Sequence, residues 1–340
     1  MIIKLKNDAT AEDLQRIEQT LARHGWKGMP VTTQYRRYLV GIGKKAIDLR
    51  QVGHLSGIED VFRVTDSFKL VSRKWRIEET CIDLGDGVRI GAGHFALMAG
   101  PCSIESEQQV ADTIAHLQAH GIRIMRGGVY KPRSSPYSFR GLGIEGLKMW
   151  HEQAAAAGIK IITEVMMPRQ IEEMYPYVDI FQVGARNAQN FNLLDALGEV
   201  DKPVLLKRGI SGTIEELLQS AEYIFSGGNE RILLCERGIR TYEKAYRNCF
   251  DINAVAILKE RTHLPVIADP SHGVGLRHYV PQVALAAVMA GADGVIMEVH
   301  RCPEEAFSDG QQTLDFKEAA LLYRKLAMAR QALQAMEALH

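Results

Sequence analysis

The chain has 340 residues, 46% hydrophobic and 24% charged, and Lys plus Arg balance Asp plus Glu to a net charge of zero. This length exceeds the ~250 residues of a typical eight-stranded α/β barrel, so a large core with a small additional unit fits. Zero net charge gives no overall field to recruit nucleic acid or an anionic membrane, and no stretch approaches the ~20 apolar residues of a membrane span. The first residues, MIIKLKNDAT, place Lys4, Lys6 and Asp8 where a secretory signal needs an apolar core, so the expected location is the cytoplasm. The cysteines (Cys81, Cys102, Cys235, Cys249 and Cys302) are odd in number and sparse, which predicts reduced thiols rather than a disulfide framework.

Residues 1–66 read as a separate unit. IIKLK is a strand, and Ala11 to His24 is a helix with Leu14, Ile17, Leu21 and Ala22 on one face. Thr10 is its N-cap, with Asp13 three residues on. MPVTT, QYRRYLVGIG and VFRVTD are further strands, and AIDLRQVGHL is a short helix. The order βαββαβ is that of a small ferredoxin-like domain. Residues 67–93 form a linker in which Gly85–Asp86–Gly87 lies between alternating runs, a hairpin signal. Such a hairpin can plug the amino end of a barrel.

From residue 94 to 340, strands and helices alternate. The apolar runs FALMAG, IRIM, IKIIT, DIFQV, PVLL, RILLC, PVIA and GVIM are separated by helical segments, and Asp315 to Ala338 closes the chain as a long helix. Eight such alternations predict an α/β fold, a (β/α)8 TIM barrel, with an open doubly wound sheet as the structural alternative. GLGIEG at 141–146 matches a dinucleotide-binding pattern literally, but a polar loop and not a strand precedes it, so it reads as loop glycines.

The unusual polar residues cluster at the carboxyl ends of these runs, where barrels build active sites. Arg126, Lys131, Arg133, Arg186, Lys207, Arg208 and Arg237 come from several loops. Gathered at one mouth, they would hold phosphate and carboxylate groups, and Ser134 and Ser135 add hydroxyls. Cys102, His272, Glu298 and Asp309 offer sulfur, nitrogen and oxygen donors, a mixed set that suits Mn, Fe, Co or Zn. A bound divalent ion with an open position polarises a carbonyl. Glu164 and Asp269 are inward carboxylates, each a proton-transfer group or a counter-ion to Arg126 and Lys207. His300, two residues from Glu298, is expected on the same inward face, and Glu236 is expected to face away from Arg237.

AGPCSIES (99–106), RGGVYKPRSSPYSFRGLG (126–143), QVGARNAQNF (182–191), LLKRG (205–209), CERGIRTYE (235–243), ADPSHGVG (268–275) and EVH (298–300) resemble the 3-deoxy-D-arabino-heptulosonate 7-phosphate (DAHP) synthases. The similarity covers about residues 70–335, and the N-terminal unit resembles that of the type I beta subgroup. This resemblance implies a transferase that condenses phosphoenolpyruvate with erythrose 4-phosphate, the first step of aromatic amino-acid synthesis. It implies Cys102, His272, Glu298 and Asp309 as metal ligands. Arg186, Lys207 and Arg237 would hold the phosphoenolpyruvate phosphate, Arg126 and Lys131 its carboxylate and reacting carbons, and Arg133, Ser134 and Ser135 the sugar phosphate. Lys131, Glu164 and His272 are the expected catalytic residues, Lys131 as the acid that protonates the developing alkoxide. The resemblance further implies feedback inhibition by tyrosine or phenylalanine through the N-terminal unit, and a homotetramer. Ser134 departs from the Thr common in the family, with its hydroxyl retained. The alternatives are a 3-deoxy-D-manno-octulosonate 8-phosphate synthase, whose KANRSS-like loop differs from KPRSS here, and a non-catalytic sugar-phosphate sensor.

Overall fold

The computed structural model describes residues 1–131, 137 and 139–339. The chain opens with β1 (Ile2–Leu5), α1 (Ala11–Arg23), β2 (Trp26–Thr32), β3 (Arg37–Gly43), α2 (Arg50–Gly53) and β4 (Ile58–Phe62). Thr10 and Asp13 cap α1 reciprocally. The four strands form an antiparallel sheet in the order β2-β3-β1-β4, the ferredoxin-like arrangement. β4 starts three residues before the expected VFRVTD run, because Gly57, at φ +83, turns the chain directly into the pairing of Ile58 with Leu5.

Both faces of this sheet are covered. Met1, Ile3, Leu5 and Leu39 pack with Ile17, Leu21 and Val52 from α1 and α2. The alternate residues Ile2, Tyr38 and Val40 join the cluster that fills the layer between barrel strands and barrel helices. Tyr38 meets Trp75 and Phe225 edge to face, with ring centroids 5.3 and 6.3 Å apart. Polar contacts tie the same junction. Glu230 accepts from the hydroxyl of Tyr38 (3.1 Å) and pairs with Arg76 (3.1 Å).

A short hairpin follows, β5 (Ile82–Asp83) and β6 (Arg89–Ile90). The barrel comprises β7 (Ala96–Gly100), α3 (Glu107–Ala119), β8 (Ile124–Gly127), α4 (Gly143–Ala156), β9 (Lys160–Glu164), α5 (Pro168–Met174), β10 (Ile180–Val183), α6 (Phe191–Gly198) and β11 (Val204–Lys207). It continues with α7 (Ile214–Ser226), β12 (Ile232–Glu236), α8 (Ile252–Arg261), β13 (Val266–Ala268), α9 (Pro270–Val274), α10 (Val280–Met289), β14 (Gly294–Glu298) and α11 (Phe316–Glu337). β7 to β14 are parallel and closed by the pairing of β14 with β7, from Gly294 opposite Ala96 to Glu298 opposite Gly100. The closed barrel, rather than the open sheet, is therefore the fold. The second half of GLGIEG lies in the first turn of α4, so these residues are helical and not a loop. No helix among the described residues is long and apolar enough to cross a membrane.

Each barrel strand gives at least one residue to an inner apolar cluster, among them Met98, Ile124, Ile162, Ile180, Leu205, Leu233, Ile267 and Ile296. Ile82, Val88 and Ile90 of the hairpin close this layer from below. Strand side chains alternate faces, so the residues two positions further along also point inward, one layer nearer the carboxyl end. Those positions are Arg126, Glu164, Gln182, Lys207, Asp269 and Glu298, with Arg237 two beyond Cys235. The packing of the core thus dictates where the polar residues emerge. Replacing Ile90, which is fully buried, by Ala should lower stability by about 2–4 kcal/mol through lost contact and a residual cavity; urea denaturation of the variant measures it.

Candidate active site

The inward polar layer lines a cavity of about 220 Å³ at the carboxyl end of the barrel. Arg126, Lys131, Arg186, Lys207, Arg237, Arg240 and Arg247 supply its positive charge, and Glu164, His272 and Asp309 its other titratable groups. Arg133, Ser134 and Ser135 lie outside the described residues. Arg208, expected here, is not in the lining. It follows Lys207 and so faces the opposite side of β11, where it is buried against Glu236 and Asp251, at 2.9 Å from each. Glu236 faces away from the cavity as expected and accepts from the Gly238 N–H (2.6 Å).

Asp269 organises one side. It caps the short α9, with Oδ1 accepting from the His272 N–H (3.0 Å). Its Oδ2 accepts from Lys207 Nζ (2.5 Å) and from His272 Nδ1 (2.8 Å). Burial alone would raise its carboxyl pKa, but His272 and Lys207 outweigh burial and hold it well below the usual range. Burial lowers the His272 pKa against the pull of Asp269 and Glu298, so the imidazole is neutral. Its Nδ1 carries the proton given to Asp269, and the lone pair on Nε2 faces Glu298 Oε1 at 3.4 Å.

Glu298 is the second organiser. Its Oε1 pairs with Arg126 Nη1 (3.0 Å), which also donates to the Pro101 carbonyl (2.9 Å). Its Oε2 accepts from Gln312 Nε2 (2.6 Å), and Gln312 Oε1 accepts from Arg247 (2.8 Å). Gly275, at φ +70, leaves the room Arg247 needs: a Cβ there would lie 2.3 Å from that of Arg247. Cys102 Sγ donates to Asp309 Oδ2 (3.2 Å), and Asp309 sits in the left-handed region at φ +53. Burial and the Glu298 charge push the Cys102 thiol up to about 12.

Donor atoms of Cys102, Glu298 and Asp309 lie within 4.8 Å of one another, with His272 beside Glu298. In this cluster a thiol, two carboxylates and an imidazole nitrogen converge, with His272 Nε2 3.4 Å from Glu298 Oε1. That arrangement fits a divalent cation, which would also displace the thiol proton.

Lys131 reaches back to donate to the Cys102 carbonyl (2.8 Å), which holds its ammonium beside the donor cluster. Glu164 is not the counter-ion of Arg126 or Lys207, since Glu298 and Asp269 fill those roles. Its carboxylate has no hydrogen-bond or ion-pair partner among the described residues, and it stands over Gly184, where a Cβ would lie 2.0 Å from Oε1. His300 turns aside, with Nδ1 against the Cys302 carbonyl (2.7 Å) and Nε2 3.8 Å from Glu105. The chain leaves the strand at Glu298, so the two-residue alternation no longer applies there. Gln182 carries the same core-plus-two signal as Arg126 and Lys207. Arg240, Arg247, Asn248 and Gln312 come from loops without regular spacing; Arg240 lies within the CERGIRTYE stretch, and no pattern marks the other three.

A parallel barrel whose mouth joins a mixed-donor cluster to a ring of cations is the architecture of an enzyme acting on small phosphorylated, carboxylated substrates. The DAHP synthetase I family model matches residues 76–335, and the chain belongs to that family. It is 46% identical to the phospho-2-dehydro-3-deoxyheptonate aldolase of Thermotoga maritima over 97% of this chain and 98% of that protein. The crystal structure of a Thermotoga maritima DAHP synthase is similar, with a TM-score of 0.78, 45% identity, and coverage of 98% of this chain and 97% of that one. A 2-dehydro-3-deoxyphosphooctonate aldolase of Dechloromonas aromatica is 33% identical over 67% of this chain and 88% of that protein. The near full-length match makes the chain a DAHP synthase of the type I beta kind, ahead of the octulosonate alternative and the non-catalytic sensor.

Asp269→Asn should destabilise the protein by about 3 kcal/mol at neutral pH by leaving Lys207 buried without its charge partner. Because the carboxyl pKa is depressed in the folded state, the contribution of Asp269 is present above about pH 4 and fades as pH falls below that. Urea denaturation of wild type and variant across roughly pH 2.5–7 should show the gap narrowing only at its acid end.

Proposed function

We propose that the cations divide between two substrates as follows. Arg186, Lys207 and Arg237 hold the phosphoenolpyruvate phosphate. Arg126 and Lys131 hold its carboxylate beside the donor cluster, and Arg133, Ser134 and Ser135 take the erythrose 4-phosphate phosphate. The observation that carries this reading is the charge surplus: Arg186, Arg237 and Arg240 line the cavity with no carboxylate partner among the described residues, and burial already lowers the Arg237 pKa. Two phosphates and a carboxylate supply the missing negative charge.

Carbon 3 of phosphoenolpyruvate attacks the aldehyde carbon, which forms the new carbon–carbon bond and leaves an alkoxide. Lys131 gives that oxygen a proton from the position fixed by the Cys102 carbonyl. Water adds at carbon 2, with Glu164, the unpaired carboxylate, accepting its proton, and the carbon–oxygen bond to phosphate then breaks to leave the ketone. Cys102, His272, Glu298 and Asp309 would hold a divalent ion, Mn, Fe, Co or Zn, which when bound supplies Lewis-acid polarisation of the aldehyde. Asp269 serves that site indirectly by holding His272 in the tautomer that leaves Nε2 free. The N-terminal unit is the candidate receptor for tyrosine or phenylalanine, the assembly a homotetramer, and the compartment the cytoplasm.

Phosphoenolpyruvate consumption with erythrose 4-phosphate should stop on chelation and return with added metal, and arabinose 5-phosphate should not substitute; activity that survives chelation would remove the metal from the scheme. Lys131→Met should lower kcat by about 10²–10⁴ with a smaller change in KM, and near-normal turnover would assign the proton to another group. Gln312→Ala should weaken metal affinity by about 10–100-fold, read by chelator competition, because it frees the Glu298 carboxylate to rotate.

A further inference from the structure

A second pocket, of about 410 Å³, opens in the N-terminal unit at the end of β3. Its charged lining is Lys44, Lys45, Arg63 and Lys69, and it contains no carboxylate. None of these cations has an ion-pair partner among the described residues. Arg63 donates to the Ile47 carbonyl (2.8 Å), Lys69 to the Asp66 carbonyl, and the Met1 amine to the Gly41 carbonyl (2.8 Å). The nearest acids are engaged elsewhere. Asp66 binds Lys74 and Ser72, and Glu222 accepts from the N–H groups of Leu70 and Val71.

The rest of the lining is largely apolar and firmly built. The Trp26 ring lies against β3 because residue 43 is glycine, where a Cβ would fall 2.4 Å from the ring. Its Nε1 donates to the Lys45 carbonyl (3.0 Å), which fixes the Lys44–Lys45 loop beside the ring. Ile42, Ile47 and Leu49 continue this wall.

We propose that this pocket is an anion-binding site separate from the barrel mouth, taking a small molecule with one carboxylate or phosphate on an apolar body and no cationic group. Like charges this close repel, and a bound anion relieves that repulsion as it forms charge-assisted hydrogen bonds. The apolar body stacks on Trp26. The site goes beyond the amino-acid receptor suggested above, because an amino acid also carries an ammonium group, for which the lining offers no carboxylate.

The test uses the full chain and follows tryptophan fluorescence on titration with 3-phenylpropionate, phenyl phosphate, the neutral 3-phenylpropionamide and phenylalanine. The two anions should give a saturable change with Kd of about 1 mM or tighter, and their ranking names the preferred head group. The change should disappear in Trp26→Phe. In the double variant K44E/K45E it should weaken at least tenfold, with turnover unaltered, and saturating phosphoenolpyruvate should not compete. No response to either anion, equal binding of the amide, or a response that survives in both variants would overturn the proposal. Tighter binding of phenylalanine than of 3-phenylpropionate at Trp26 would also overturn it, and would make the pocket an amino-acid site instead.

Discussion

One continuous run of buried polar groups, Lys207–Asp269–His272–Glu298–Arg126, crosses the inside of the barrel. Its links measure 2.5, 2.8, 3.4 and 3.0 Å. The groups are contributed by β11, the loop into α9, β14 and β8, so the run closes only if the strands take the register seen here. A buried ion pair adds little net stability, but removing one partner costs about 3–5 kcal/mol. The run is thus held together by the apolar layer beneath it and penalises any other register. It also fixes the chemistry. Asp269 takes the proton side of His272, which leaves the other nitrogen for the donor cluster. Arg126 and Gln312 occupy opposite ends of the Glu298 carboxylate, so that group cannot turn away from Cys102 and Asp309.

The same balance explains why the mouth attracts anions despite zero net charge. Arg126, Lys207 and Arg247 already have carboxylate partners. The attraction comes from those without one among the described residues, Arg186 and Arg237 above all, placed where water is partly excluded and charge interacts more strongly. Composition cannot report this, because acidic residues elsewhere cancel the sum. Position along the strands can.

Much of the fold and part of the site were therefore legible. Parallel barrel strands read as short apolar runs separated by helical periods, and one polar residue at or just past each run marks the inner face. The failures share a cause. Arg208 shows the same composition as Lys207 and differs only in strand parity. His300 keeps the parity of Glu298, but the strand has ended. Of the two readings open for Glu164, the counter-ion role falls to Asp269 and Glu298, because the strand pattern does not say which of several inward carboxylates lies nearest a given cation. Gln312 and Arg247 act through loop conformation, for which neither periodicity nor spacing leaves a trace.

β12 links these two levels of organisation. Residues just before it, Asn229 and Glu230, bond to Gln34 and Tyr38 of the N-terminal sheet, and Arg76 pairs with Glu230. The residue just after it, Arg237, lines the mouth. A five-residue strand paired on both sides cannot shift one end without disturbing the other, since its ladder hydrogen bonds to β11 and β13 must move with it. The central strands of the N-terminal sheet are packed on both faces, with Ile3 and Leu39 against its own helices and Ile2, Tyr38 and Val40 against the barrel. The N-terminal unit thus meets the barrel through packed, hydrogen-bonded contacts at the start of β12, and the residue after that strand is a guanidinium in the cavity with no carboxylate partner among the described residues.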